Sequence, residues 1–325
     1  MKSQCKICNN THGNVTYIAR EMMFGYRDQF EYFECSKCGC LQIVEVPSNL
    51  EKYYPKNYSS FSENSVKKSN FINLYIKRQR TKYFLHSKGI LRKCLIKIGG
   101  PPNLPLWLKA AKPELNFEIL DVGSGSGDLL LGLRDRGFSK LTGIDPFIKE
   151  DIFYKNGVRI YKKKLCELTQ QFDFIMLHHS FEHVPDPLSI LIDLFQKTKP
   201  DGLVLIRIPL VSSFAWRTYK TNWVQLDAPR HLFLHSVRSI ELLTSKCGFI
   251  IENIDYDSKG FQFWGSEQYL RDIPLNDERS YNINPKRSIF SDCDIKVFEK
   301  KAEELNNSQN GDQACFYLRK ITGSS

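Results

Sequence analysis

No acidic residue occurs between Asn64 and Pro113. Twelve lysines and arginines crowd that stretch, more than the net charge of +10 carried by the whole 325-residue chain. The remainder is therefore slightly acidic, and the basicity belongs to one segment. Also missing is any run near the roughly 20 apolar residues that a membrane span needs. There is no internal repeat and no low-complexity tract. The opening residues, MKSQCKICNN, lack the apolar centre of a secretory signal. The expectation is a cytoplasmic protein whose ten cysteines stay reduced, and clustered cysteines in that setting bind metal more often than they form disulfides.

What is present divides into four zones. Residues 1–47 hold five of the ten cysteines. Residues 48–113 form a basic, partly helical connector that opens on the aromatic YYPKNYSSF and closes on Gly99-Gly100-Pro101-Pro102 and Pro105. From 114 to 256 short apolar runs (FEILDV, KLTGID, VRIY, FDFIML, LVLIRI, FIIENID) alternate with helical stretches at 128–136, 187–199 and 236–247. A tail, 257–325, ends in the strand-like CFYLRKI. Alternation of this kind predicts a mostly parallel α/β sheet with helices on both faces. FDFIML and LVLIRI have the apolar character of central strands, and CFYLRKI is expected to return as an antiparallel edge strand.

In such a sheet ligands bind beyond the carboxyl ends of the strands. Gly123, Gly125 and Gly127 follow the strand FEILDV and precede a helix, where bare backbone and free N–H groups can meet an anion. A dinucleotide fingerprint would require glycine at 128, where Asp128 stands. Asp121 precedes the loop, and GIDP closes the next strand with Asp145, placed where two ribose hydroxyls can donate to it. Together "ILDVGSGSG" and "GIDP" resemble the class I S-adenosylmethionine (SAM) methyltransferases, a Rossmann-like family. The resemblance implies that Asp121, Gly123, Gly125 and Gly127, with Ser124 between them, hold the methionine moiety. Asp145, followed by Pro146, would hold the ribose. Without that resemblance, the loop reads equally well as a tight strand-to-helix turn.

The stretch FDFIMLHHSFEHVPDP runs an apolar strand into His178, His179, Glu182 and His183, and its "EHVPDP" resembles many small-molecule methyltransferases. His179 is expected to contact the cofactor. His183 either serves as an acid–base group or hydrogen-bonds locally, and a divalent metal on Glu182 and His183 lacks any further ligand at suitable spacing. Methyl transfer to a hydroxyl needs a base, a role suited to histidine. An insertion at about 210–235, NWVQLDAPRHLFLHS, is expected to lid the site and resembles a "D-x-P-R-H-L" segment of bacterial sugar-modifying members. His231 is then the preferred base, Trp223 a platform for a sugar face, and Arg230 a phosphate or carboxylate ligand. The alternative is an ordinary packed lid.

Cys5-x2-Cys8 and Cys35-x2-Cys38 form paired knuckles that suit tetrahedral zinc, with Cys40 leaving the fourth ligand open to question. Redox chemistry is the alternative. The pairs resemble the small zinc-ribbon-like N-terminal domains of sugar methyltransferases, in which a tyrosine-rich segment follows; here Tyr54 and Tyr58 would line the substrate site or pack the junction. The basic segment 64–113 is a solvated linker, a peripheral contact with an anionic membrane at the inner face, or, least well supported, a nucleic-acid contact. The reading is a SAM-dependent methyltransferase, comprising 1–47, 48–113 and a catalytic domain 114–325. It acts on a sugar acceptor in surface-polysaccharide or nucleotide-sugar biosynthesis. The alternatives are a lipid or quinone precursor as acceptor, or a non-catalytic zinc and basic module that binds RNA or a partner.

Overall fold

A computed structural model of the protein describes residues 4–55, 71–87 and 104–320. Tyr58 and the connector segments 56–70 and 88–103 lie outside the described residues. In chain order the elements begin with β1 Val15–Arg20, β2 Gln29–Glu34, β3 Leu41–Ile43, α1 Phe71–His86 and α2 Leu106–Ala111. The central run is β4 Glu118–Val122, α3 Asp128–Asp135, β5 Lys140–Ile144, β6 Ile152–Phe153, β7 Arg159–Tyr161, β8 Phe172–His178, α4 Pro187–Lys197 and β9 Thr198–Pro209. Then come α5 Phe214–Tyr219, β10 Phe233–Leu234, α6 Val237–Lys246, β11 Phe249–Tyr256, α7 Phe261–Leu270, α8 Asp292–Asn307 and β12 Gln313–Lys320.

Local chemistry sets the boundaries near the site. Asp186 accepts the Ser189 N–H at 3.1 Å and Pro187 opens α4, the usual start of a helix. Ser236 and Ser239 cap α6 reciprocally, each hydroxyl accepting the other's N–H at 3.0 Å. The expected helices at 128–136, 187–199 and 236–247 thus form, a residue or two shorter.

The large sheet has the order β11-β12-β9-β8-β4-β5-β7-β6. Strands β7, β5, β4, β8 and β9 run parallel. Alternate side chains enter separate cores, Leu120, Ile175 and Ile206 on one face and Ile119, Phe174 and Leu205 on the other. Both faces are covered, which is why the central strands read as unbroken apolar runs. The expectation for the C-terminal strand needs correction. β12 is antiparallel, but it lies between β9 and β11. Gln313 to Leu318 are buried throughout, whereas β11 is largely half-exposed or exposed and takes the edge. The described part of the connector packs on the sheet's helical layer, where Lys77 pairs with Asp135 at 2.6 Å and Thr81 Oγ1 donates to Arg136 O at 3.0 Å. No described helix is long and apolar enough to cross a membrane.

The boundary between N-terminal domain and insertion is the larger correction. β10, from the insertion, pairs antiparallel with β3 and completes a second sheet of order β1-β2-β3-β10. Tyr32 and Phe33 share one core with Trp216 and Leu234. About 50 residues seldom bury enough surface to be stable alone, and this segment gains its missing strand and core from residues 210–235. Neither part is free-standing.

Arg230 locks the junction. Its fully buried guanidinium binds Asp227 at 2.6 and 2.9 Å, Glu21 at 3.0 Å and the Tyr53 carbonyl at 3.2 Å, with the Phe24 ring 5.3 Å away. Removing one partner from a buried ionic cluster leaves uncompensated charge. Arg230→Ala is therefore expected to destabilise the protein by about 3–5 kcal/mol in chemical denaturation, and a loss below about 1 kcal/mol would show that the cluster is not needed.

Candidate active site

The carboxyl ends of β4, β5 and β8 meet at one edge of the large sheet. Beyond β4 the chain turns through Gly123, Gly125 and Gly127, with φ of 76°, 53° and 90°. At Gly123 a Cβ would fall 2.6 Å from the Ser180 Cβ, and at Gly127 2.6 Å from the Ile160 side chain. Both positions therefore require glycine for space as well as for backbone angle. The Gly123 and Ser124 N–H groups reach back to the Ile144 carbonyl at 2.8 and 3.1 Å. Ser124 Oγ is buried without a hydrogen-bond partner among the described residues.

Two carboxyls flank this loop. Asp145 accepts the Gly125 N–H at 3.0 Å and the Phe147 N–H at 2.9 Å. Burial raises its pKa and those two donors counteract part of the rise. Asp121 is buried on β4. Burial, and secondarily the charge of Asp145, lift it to about 7, with no cationic side chain among the described residues to offset them. A buried acid lacking its cation beside a glycine loop matches a ligand that brings both an ammonium group and polar backbone contacts.

The turn after β8 supplies the second half of the site. Ser180 Oγ donates to the Val122 carbonyl at 2.8 Å, tying this turn to the end of β4. Glu182 is fully buried. Burial raises its carboxyl, while the neighbouring imidazoles of His179, His231 and His183 pull the other way and bring it to about 2. The His183 and His231 rings meet edge to face at 4.7 Å. His231 is nearly buried, and burial together with the charge of His183 lowers its pKa to about 4, leaving the ring neutral at ordinary pH. The insertion is pinned here, since the Leu232 N–H donates to the Glu182 carbonyl at 2.9 Å. His183 Nδ1 bonds the Arg230 carbonyl at 2.8 Å and lies 3.3 Å from the Tyr54 hydroxyl. Residues distant in sequence, Tyr54, His183 and His231, therefore converge.

Other expected site residues are placed differently. Trp223 is completely buried, packs on Trp216 and donates Nε1–H to Asp312 at 2.9 Å, so it has no face for a sugar. Arg230 is consumed by Glu21 and Asp227 and offers nothing to a phosphate. His179 accepts from Arg207 Nη1 at 2.7 Å and lies 3.4 Å from Glu182. It is a link between β9 and the Glu182 turn. Pro146 is half-buried and precedes the exposed Phe147. Sequence reasoning missed Asp227 and Glu21. The D-x-x-R spacing is the one signal for Asp227, and nothing near Glu21 marks it as the distant partner of Arg230.

The four cysteines of the paired knuckles do come together. Cys5 Sγ lies 3.5 Å from Cys38 Sγ and Cys8 Sγ 3.5 Å from Cys35 Sγ, with all four within 4.8 Å of one another. Four thiolates about 2.3 Å from a central zinc would be about 3.8 Å apart, so the donor set fits that ion. The Cys38 thiol, together with Gln42 Nε2 at 2.9 Å and the Ile7 N–H at 3.4 Å, steadies Cys5 as a thiolate and lowers its pKa to about 4. Cys40 points elsewhere, 4.0 Å from His235, and is not among the four that gather.

Residues 91–254, just over half of the chain, match the protein family described as "Methyltransferase domain". The chain belongs to that family. A ubiquinone biosynthesis O-methyltransferase of Pseudomonas fluorescens is 33% identical to this methyltransferase-domain protein over 109 residues, 30% of this chain and 47% of that protein. One from Pseudomonas putida shows the same identity and coverage. The chain thus spans about half the length of the curated relatives it matches. An S-adenosylmethionine dependent methyltransferase from Mesorhizobium loti superposes with a TM-score of 0.43 and 17% identity, over 66% of this chain and 96% of that one.

Asp121 gives a signed pH effect. Its folded pKa of about 7 lies above the ordinary 3.8, so the fold favours the protonated acid, and this contribution is complete below pH 4 and lost as pH rises through 7. The stability of ligand-free wild type relative to Asp121→Asn should accordingly fall by about 4 kcal/mol between pH 4 and 8. A difference independent of pH in urea denaturation would refute the raised pKa.

Proposed function

We propose that the protein transfers a methyl group from SAM to a hydroxyl oxygen of a small-molecule acceptor, a sugar of surface-polysaccharide or nucleotide-sugar biosynthesis. The observation that carries this reading is the shared edge, where a buried Asp121 without a cation borders the glycine loop and the imidazoles of His183 and His231 stand at the neighbouring strand end. Asp121 would hold the amino end of the cofactor, the backbone of Gly123, Ser124, Gly125 and Gly127 its length, and Asp145 with Pro146 the ribose. When bound, the cofactor supplies an electrophilic methyl group on a sulfonium. The chain's own part is to align the acceptor and accept its proton. His231 suits the second task because its Nδ1–H is spent on the Gln225 carbonyl at 2.8 Å, which leaves Nε2 with the lone pair that accepts a proton. Glu182, with its nearer oxygen 3.8 Å from that nitrogen, stabilises the resulting imidazolium. Tyr54 and His183 form the adjoining wall.

The sugar acceptor is supported by the resemblance of the paired CxxC knuckles and DAPRHL to bacterial sugar-modifying methyltransferases. Zinc on Cys5, Cys8, Cys35 and Cys38 would be structural, because four thiolates close its coordination. Contact of segment 64–113 with an anionic membrane surface suits an acceptor carried on a lipid and rests on charge. A second reading, O-methylation of a quinone precursor, is favoured by the relatives' named activity.

Calorimetry with SAM is expected to give one site per chain, weakened at least about ten-fold in Asp145→Ala, which removes two hydrogen-bond acceptors. Absence of binding in the wild type would refute the proposal. His231→Ala should bind SAM normally and lose about 100-fold or more in turnover; normal turnover would remove it as the base. Labelled SAM offered with sugar nucleotides and with phenolic quinone precursors discriminates between the two acceptors.

A further inference from the structure

Glu182 poses a problem that proton transfer leaves unsolved. Its side chain is fully buried, and neither carboxylate oxygen has a hydrogen-bond partner among the described residues. An ionised group so placed costs several kcal/mol unless a positive charge compensates. His179 Nδ1, at 3.4 Å, is too distant for a well-formed hydrogen bond, and His231 Nε2 lies at 3.8 Å.

The tautomers sharpen the point. His183 Nδ1 faces the Arg230 carbonyl and His231 Nδ1 the Gln225 carbonyl, each at 2.8 Å. A carbonyl only accepts, so both Nδ1 atoms carry protons and, in the neutral rings, both Nε2 atoms keep lone pairs. The His231 lone pair and a Glu182 oxygen are then two acceptors 3.8 Å apart. Donation of the second ring N–H to a backbone carbonyl is also how proteins orient histidines that bind metals. One donor atom from each of Glu182, His183 and His231 lies within 4.8 Å of the others.

We propose that Glu182, His183 and His231 bind a divalent cation at the sheet edge, separate from the cysteine cluster. Two imidazoles and one carboxylate suit a borderline ion such as Mn2+, Co2+ or Zn2+. Neighbouring donors on an ion at about 2.1 Å sit about 3 Å apart, so the three side chains close in by up to about 2 Å. His183 is only half-buried and can move. Asp227 Oδ2 also lies 3.8 Å from His231 Nε2, but both its oxygens are engaged by Arg230. His179 accepts from Arg207 at Nε2 and turns its Nδ1–H toward Glu182, orienting the carboxylate.

Three protein donors leave positions open for oxygen ligands. Resting on the methyl-transfer reading, the occupants are two adjacent hydroxyls of the acceptor, and the cation lowers the pKa of the one that is methylated. While the ion is bound, His231 is a ligand and the released proton passes to solvent; in the ion-free protein the same Nε2 lone pair is the base. The cation site itself stands on the side chains alone.

Mn2+ is the informative probe, because a hard ion avoids four thiolates. Titration of the zinc-loaded full-length protein, with free Mn2+ followed by electron paramagnetic resonance, should show one saturable equivalent per chain. Glu182→Gln and, independently, His183→Ala should each weaken it at least about ten-fold, with thermal melting confirming that both variants fold. A wild type without saturable Mn2+ binding, or a Glu182→Gln variant that binds as tightly, overturns the site and leaves a shared proton as the only bridge between Glu182 and His231. SAM calorimetry on the same samples separates the two claims. SAM binding without Mn2+ binding rejects the cation site alone, and Mn2+ binding without SAM binding rejects the proposed function alone.

Discussion

A buried guanidinium, Arg230, holds the N-terminal sheet and the insertion in register where they share a sheet and a core. Glu21 approaches from the N-terminal sheet and Asp227 from the insertion, and neither carboxylate tolerates burial without that cation. From this cluster the chain continues directly into His231 and Leu232, whose backbone meets Tyr32 and Glu182. Positioning of the imidazole is therefore a consequence of an ionic junction. The cysteine knuckles act further back in the same sequence of constraints, fixing the turns that flank β1 and β2 and so the frame on which β10 pairs.

The edge of the large sheet contributes its own constraint. Parallel order places the ends of β4 and β8 side by side, and Ser180 ties their turns together across the Val122 carbonyl. The glycine loop and the Glu182 turn cannot drift apart without breaking that contact and the packing of Gly123 against Ser180. The glycine loop and the titratable side chains thus share one rim, the condition that group transfer between two bound molecules demands.

Much of this was readable in the residues. The alternation of apolar runs with helical stretches gave the parallel sheet, and the loop glycines, Asp121 and Asp145 lie where strand ends put them. The paired knuckles gathered four sulfurs as their spacing required. Tertiary pairing was not readable. β10 is two residues long and carries no periodicity, so its pairing with β3 is invisible in the sequence. Aromatic and guanidinium groups suit sugars and phosphates, which points Trp223 and Arg230 to a ligand; the partners that consume them, Asp312 and Glu21, lie 89 and 209 residues away. The convergence of Glu182, His183 and His231 has the same character, since β8 and the insertion meet only in the fold.

The most direct check is a crystal structure of the protein with S-adenosylhomocysteine bound. The account predicts the ribose hydroxyls on Asp145, the amino group at Asp121 and the sulfur turned toward His183 and His231. A ligand lodged elsewhere, or one that leaves Asp121 and Asp145 untouched, would contradict it.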